Sequence, residues 1–159
     1  MRSHAALGNH PLHPAMVAIP IGAFTVTLVG DVITAAGGPP GWGGTARYAL
    51  IVGIVSALLA AVPGFVDYFT VEMSAAGARL ATRHMILNLV AVVLFVVSLW
   101  LRYRDPSGWC VPGFAVSTLA FLILGASGWI GGKMTFEHKI GVVENVDREA
   151  TAIGERESA

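Results

Sequence analysis

The side chains able to bind a cofactor or metal fall at a few sharply defined places in this chain. HPLHP, residues 10 to 14, puts His10 and His13 each directly before a proline and just ahead of a long apolar run. His84 opens another apolar run, and Asn88 stands one helical turn beyond it, so the two project from one side of a helix. Asp67 lies in VPGFVDY with Glu72 close behind, and Glu137 and His138 follow the last apolar stretch. Imidazole in its neutral form ligates metals and haem iron, and a carboxylate or amide can fix it through its other nitrogen. Cys110 stands alone, which excludes an intramolecular disulfide, a CxxC redox pair and a thiolate zinc site.

The elements that must hold these groups are membrane helices. Of 159 residues 55% are hydrophobic and only 13% charged, with a mean hydropathy of +0.68, well outside the soluble range of about 45–50% apolar and about 25% charged. A hydrocarbon layer of about 30 Å takes roughly 20 apolar residues as helix. Four stretches reach that length, at about 15–36, 49–71, 85–101 and 111–130. GGPPGWGG (37–44) and RYRDPSGW (102–109) read as tight connections, and 72–84 as a polar segment helical enough to lie along the surface. The expected fold is all-α, an up-down four-helix bundle over 1–142 with a polar tail at 143–159. The formal net charge of zero offers no basic stripe for nucleic acid.

Alternating spans bring His4, His10, His13, His84 and His138 to one face, together with Asp67, Glu72, Glu137, Arg79, Arg83 and Lys133. That face also holds both termini and more Lys and Arg than the other, where Arg47, Arg102 and Arg104 lie. The positive-inside tendency then makes both termini cytoplasmic, in a bacterial inner membrane. Trp42, Tyr48, Trp100, Tyr103 and Trp109 form an interfacial belt at the second face, and Tyr68 and Trp129 one at the first. Asp31 falls near the second face, a partner for Arg47 or Arg102. Glycines 125, 128 and 132 read as a stripe for close helix packing. VPGF occurs at 62 and again at 111, near opposite faces, and reads as coincidence rather than repetition.

NHPLHPAMVAIPIGAF (9–24), AAVPGFVDYF (60–69), RHMILNLVAVVLFVVSLWLR (83–102) and GASGWIGGKMTFEHKIGV (125–142) resemble the family of small bacterial membrane proteins catalogued as domain of unknown function 2231. The resemblance implies four membrane helices. Members of that family can be joined to Rieske-type iron–sulfur domains, which implies an electron-transfer setting. This chain has no Cys-His cluster in its tail, so a redox partner would be separate, and Lys139 stands where the pattern has glycine after the last histidine.

Three functions fit these residues. In the first, spans one and three are diagonal and parallel, so His13 and His84 face each other and hold haem b, with His10 and His138 in reserve, Asp67 or Asn88 orienting a ligand, and Arg79, Arg83 and Lys133 meeting the propionates. Electrons would pass to a quinone or a separate iron–sulfur protein. In the second, His10, His13, His84, His138 and Asp67 bind zinc, copper or non-haem iron. The third is a non-catalytic transport or scaffold subunit, which with four helices needs a homo-oligomer. No nucleophile, base and orienter stand together, and no phosphate-cradling loop opens a helix, so nothing in the sequence argues for catalytic activity of its own.

Overall fold

A computed structural model describes residues 3–8 and 10–141. The tail expected over 143–159 lies outside them. Four helices long and apolar enough to cross a membrane account for about three quarters of the described chain, and the up-down bundle is as expected. The first span combines α1 (Leu12–Met16) with α2 (Ala18–Ala35); the others are α3 (Trp42–Thr70), α4 (Ala75–Arg102) and α5 (Val111–Phe136). Ahead of them β1 (Ala6–Leu7) pairs antiparallel with β2 (His10–Pro11) in a miniature hairpin.

Three boundaries differ from expectation. The first span begins before residue 15: α1 starts at Leu12 and takes in His13, placing Pro14 in the first turn, where a missing N–H costs nothing. Pro20 then ends α1, because its ring opposes the Met16 carbonyl four residues back, although Val17 N still reaches His13 O at 3.1 Å. The segment 72–84 is not a separate surface helix. Ser74 caps α4, its Oγ accepting from Gly77 N at 3.2 Å, and α4 then runs unbroken through His84 to Arg102. Helix α3 likewise begins inside the glycine cluster, at Trp42.

α2 lies along α3 and α4 along α5, and the two pairs meet on a thin buried seam. At its middle the Phe24 and Phe95 rings stack with centroids 3.7 Å apart and planes 5° from parallel. Gly53 makes room for them: a Cβ there would lie 2.5 Å from Phe24 Cε1. Toward the second face Asp31 and Arg102, both fully buried, form a bidentate pair, Nη1 to Oδ1 at 2.6 Å and Nη2 to Oδ2 at 2.5 Å. Arg102 Nε also donates to Ser98 Oγ and Nη2 to Ser117 Oγ, so the charges are saturated by hydroxyls as well as by each other. Of the two cations expected as partners for Asp31, it is Arg102 that pairs; Arg47 instead lies 5.7 Å from the Tyr48 ring.

The outer surface is apolar, as lipid requires, and Tyr48, Trp100, Tyr103 and Trp129 are exposed on it. Glycines 125, 128 and 132 do not pack against a neighbouring helix of this chain, since a Cβ on any of them would meet nothing within 4 Å; the stripe faces outward. After α5, Lys139 adopts φ 53°, the left-handed conformation for which a glycine is the usual choice.

Candidate functional site

His13 and His84 come together at the first-face end of the seam. Their ring centroids are 6.2 Å apart and their planes are 88° from parallel. Each is held by the helix paired with its own. His13 Nδ1 donates to the Ala60 carbonyl of α3 at 2.8 Å, and His84 Nδ1 donates to the Ser127 carbonyl of α5 at 2.9 Å. A carbonyl can only accept, so the proton is fixed on Nδ1 in both rings and Nε2 keeps its lone pair in the neutral form.

The local sequence explains these contacts. Pro63 lacks an N–H and opposes the Leu59 carbonyl, which loosens the turn from which the Ala60 carbonyl reaches His13. Four residues after each accepting carbonyl stands a glycine against which the ring lies. A Cβ on Gly64 would be 2.8 Å from His13 Nδ1, and one on Gly131 3.1 Å from His84 Cε1. Ser127 tightens the second half of the site: its Oγ lies 3.0 Å from His84 Nδ1 and donates to the His84 carbonyl at 3.1 Å. Sequence reasoning does not reach these supporting residues, Ala60, Gly64, Ser127 and Gly131, because nothing in their types marks them; the glycine stripe 125, 128 and 132 points only to the stretch that holds the last two.

Asn88 touches His84 as its spacing predicts, donating from Nδ2 to Nε2 at 3.0 Å and to the His84 carbonyl at 3.0 Å. Asp67 is engaged elsewhere. Its carboxylate accepts from Ser3 Oγ at 2.7 Å, His4 N at 2.9 Å and Ala5 N at 3.0 Å, tying the segment before the hairpin across the first-face end. Asp67 therefore orients the N-terminal strap and neither histidine of the pair. His10 is exposed in β2, and His138 follows α5 with its N–H on the Lys133 carbonyl at 3.2 Å. Among the described residues no group of three or more His, Cys, Asp or Glu side chains is arranged to hold a metal ion. The set His10, His13, His84, His138 and Asp67 is thus not one cluster, because its members are committed to separate local structures. Arg79, Arg83 and Lys133 are exposed at this end.

At the opposite end, a crevice of about 220 Å³ is lined by the 38–44 turn, Thr34, Ser107 and Trp109. Nearly the length of a span separates it from the histidines, so it is no part of this site.

Fold and site together define a four-span α-helical membrane protein with paired imidazoles inside one end of its bundle. The chain belongs to the family DUF2231, described as a predicted membrane protein, whose model matches residues 9–144. Comparisons with curated proteins and with solved structures returned no match.

Proposed function

We propose that this protein binds haem b between His13 and His84 and passes electrons within the membrane. The observation that carries the reading is the spacing of the two rings. Two metal–nitrogen bonds of about 2 Å, plus roughly 1.1 Å from each nitrogen to its ring centre, separate two axial imidazole centroids by about 6 Å. The observed 6.2 Å fits that span, so His13 and His84 would be the residues that hold the group.

Both Nδ1 protons are committed to backbone carbonyls, which orients the rings and leaves Nε2 as the basic atom. Gly64 and Gly131 let the rings lie flat against their helices. A plate between the rings would require the two helix pairs to part at the first-face end of the seam, and Arg79, Arg83 and Lys133 are exposed where carboxylates of a bound group would emerge. Asn88 must release His84 Nε2 for ligation, which a side-chain rotation accomplishes. Haem, when bound, supplies one-electron chemistry. A quinone or a separate iron–sulfur protein is the partner that chemistry calls for.

Orientation follows the same reading. Arg102 is wholly buried against Asp31, so it does not count among the second-face cations, and the excess at the first face widens. Both termini are then cytoplasmic in an inner membrane.

Titrating haemin into the purified apoprotein tests the proposal. His13→Ala and His84→Ala should each abolish a six-coordinate low-spin spectrum, while His10→Ala and His138→Ala keep it. Equal spectra from all four variants would overturn the assignment.

A further inference from the structure

We infer that the chain is a fused pair of two-span units of one common design, and that the opposed charges at one equivalent position commit the first unit to the second. This inference is independent of any cofactor.

The evidence is a match of buried positions. In α2 the buried residues include Pro20, Phe24, Thr27 and Asp31. Seventy-one positions on, the residues are Ala91, Phe95, Ser98 and Arg102, and all four are buried in α4. His13 and His84 are separated by the same interval. In the second helix of each unit the interval is sixty-seven: Ala46, Leu50, Gly53 and Ala60 correspond to Gly113, Ser117, Ala120 and Ser127. Those four are the buried residues of α5, and each counterpart is buried in α3. The two intervals differ by four because the first unit's connection is four residues longer, Asp31 to Ala46 against Arg102 to Gly113.

The contacts repeat as well. His13 bonds the carbonyl of Ala60 and lies on Gly64; His84 bonds the carbonyl of Ser127 and lies on Gly131, sixty-seven positions on in both cases. In a two-fold pairing, a residue meets its own equivalent only beside the axis. Three equivalent pairs meet: His13 with His84, Phe24 with Phe95, and Asp31 with Arg102. They occur at three successive depths on the parallel first and third spans, so a pseudo-two-fold axis runs along the bundle, as in membrane proteins built of parallel repeats. Whatever lies between the histidines meets similar surroundings from both sides, except that Asn88 has Val17 as its counterpart.

At the axis, two copies of the first unit would bring Asp against Asp, and two of the second Arg against Arg, in a site with no water to screen them. Only the mixed pair is neutral. The Asp31–Arg102 contact therefore excludes like pairings by repulsion, beyond what it adds to the proper one.

An exchange of equivalent residues in the full chain tests this. Asp31→Arg alone and Arg102→Asp alone should each lower the folded-to-unfolded ratio in detergent micelles by roughly a hundredfold or more. Asp31→Arg with Arg102→Asp should recover much of the loss, because Thr27 stands four residues before position 31 as Ser98 does before 102. Adding Leu50→Ser and Ser117→Leu, which moves the second hydroxyl to the other unit, should recover more. If the four-residue exchange is no more stable than Asp31→Arg alone, the two surroundings are not equivalent and the inference fails.

Discussion

Alanine at Gly64 or Gly131 perturbs the site through a single methyl group on a neighbouring helix. At Gly64 the new Cβ falls 2.8 Å from His13 Nδ1 and 3.1 Å from Cε1, against ordinary contacts of 3.4 Å or more. The ring must move by several tenths of an ångström, and the hydrogen bond to Ala60, 2.8 Å long, moves with it. Overpacking of this kind costs about 1–3 kcal/mol, and alanine in place of glycine returns up to about 1 kcal/mol in a helix. The net is a destabilisation of about 0–2 kcal/mol. Ligand affinity should suffer more, by about 10–100-fold, the usual effect of disturbing a group that orients a ligand. Gly131→Ala should do the same to a smaller extent, since its closest approach is 3.1 Å, to His84 Cε1. Gly128→Ala is the control, since its Cβ meets nothing within 4 Å and alanine there gains helix propensity alone. Thermal unfolding in micelles and haemin titration of the three variants measure both effects. If Gly64→Ala and Gly131→Ala titrate like Gly128→Ala, the rings are not held against these helices and the reasoning fails.

Truncation of Arg102 to alanine leaves the Asp31 carboxylate buried without its partner and should destabilise the bundle by about 3–5 kcal/mol, whereas Asp31→Leu with Arg102→Met should recover most of that in the same unfolding assay. Asn88→Ala removes the donor on His84 Nε2, so it should lower stability by about 1 kcal/mol while tightening haemin binding; weaker binding would show that Asn88 supports the ligand rather than competes for it. In the 103–110 connection, hydrogen bonds from the Ser107 side chain and backbone hold the Asp105 carboxyl below the usual carboxylate range. Its small contribution to stability is thus complete above the ordinary carboxylate pKa and fades as pH falls through the lowered one. Ser107→Ala should move the Asp105 carboxyl titration upward in NMR.

The spans were legible because length and composition suffice to define membrane helices, and the pairing of His13 with His84 followed from two spans starting at the same face. What the sequence concealed was partnership. Asp67 reads as a ligand-orienting carboxylate, yet the backbone of residues 4 and 5 claims it, and no periodicity signals a bond to a terminal strap. Glycines 125, 128 and 132 look like the packing stripe, but it is Gly131, one position off that stripe, that meets His84. The duplication is hidden in the sequence because equivalence is kept in burial rather than in residue type or size: Leu50 answers to Ser117, Asp31 to Arg102, and a four-residue difference in the connections shifts the register midway. The repeated VPGF at 62 and 111 does not occupy equivalent positions of the two units.

Optical and electron paramagnetic resonance spectra of the protein expressed with ample haem bear on the paired histidines without intermediate steps. One haem per chain should be found, low-spin and six-coordinate, and the 88° between the ring planes should give a highly anisotropic low-spin signal. Folded protein without a Soret band, or a spectrum that survives His13→Ala and His84→Ala together, would refute haem ligation by this pair.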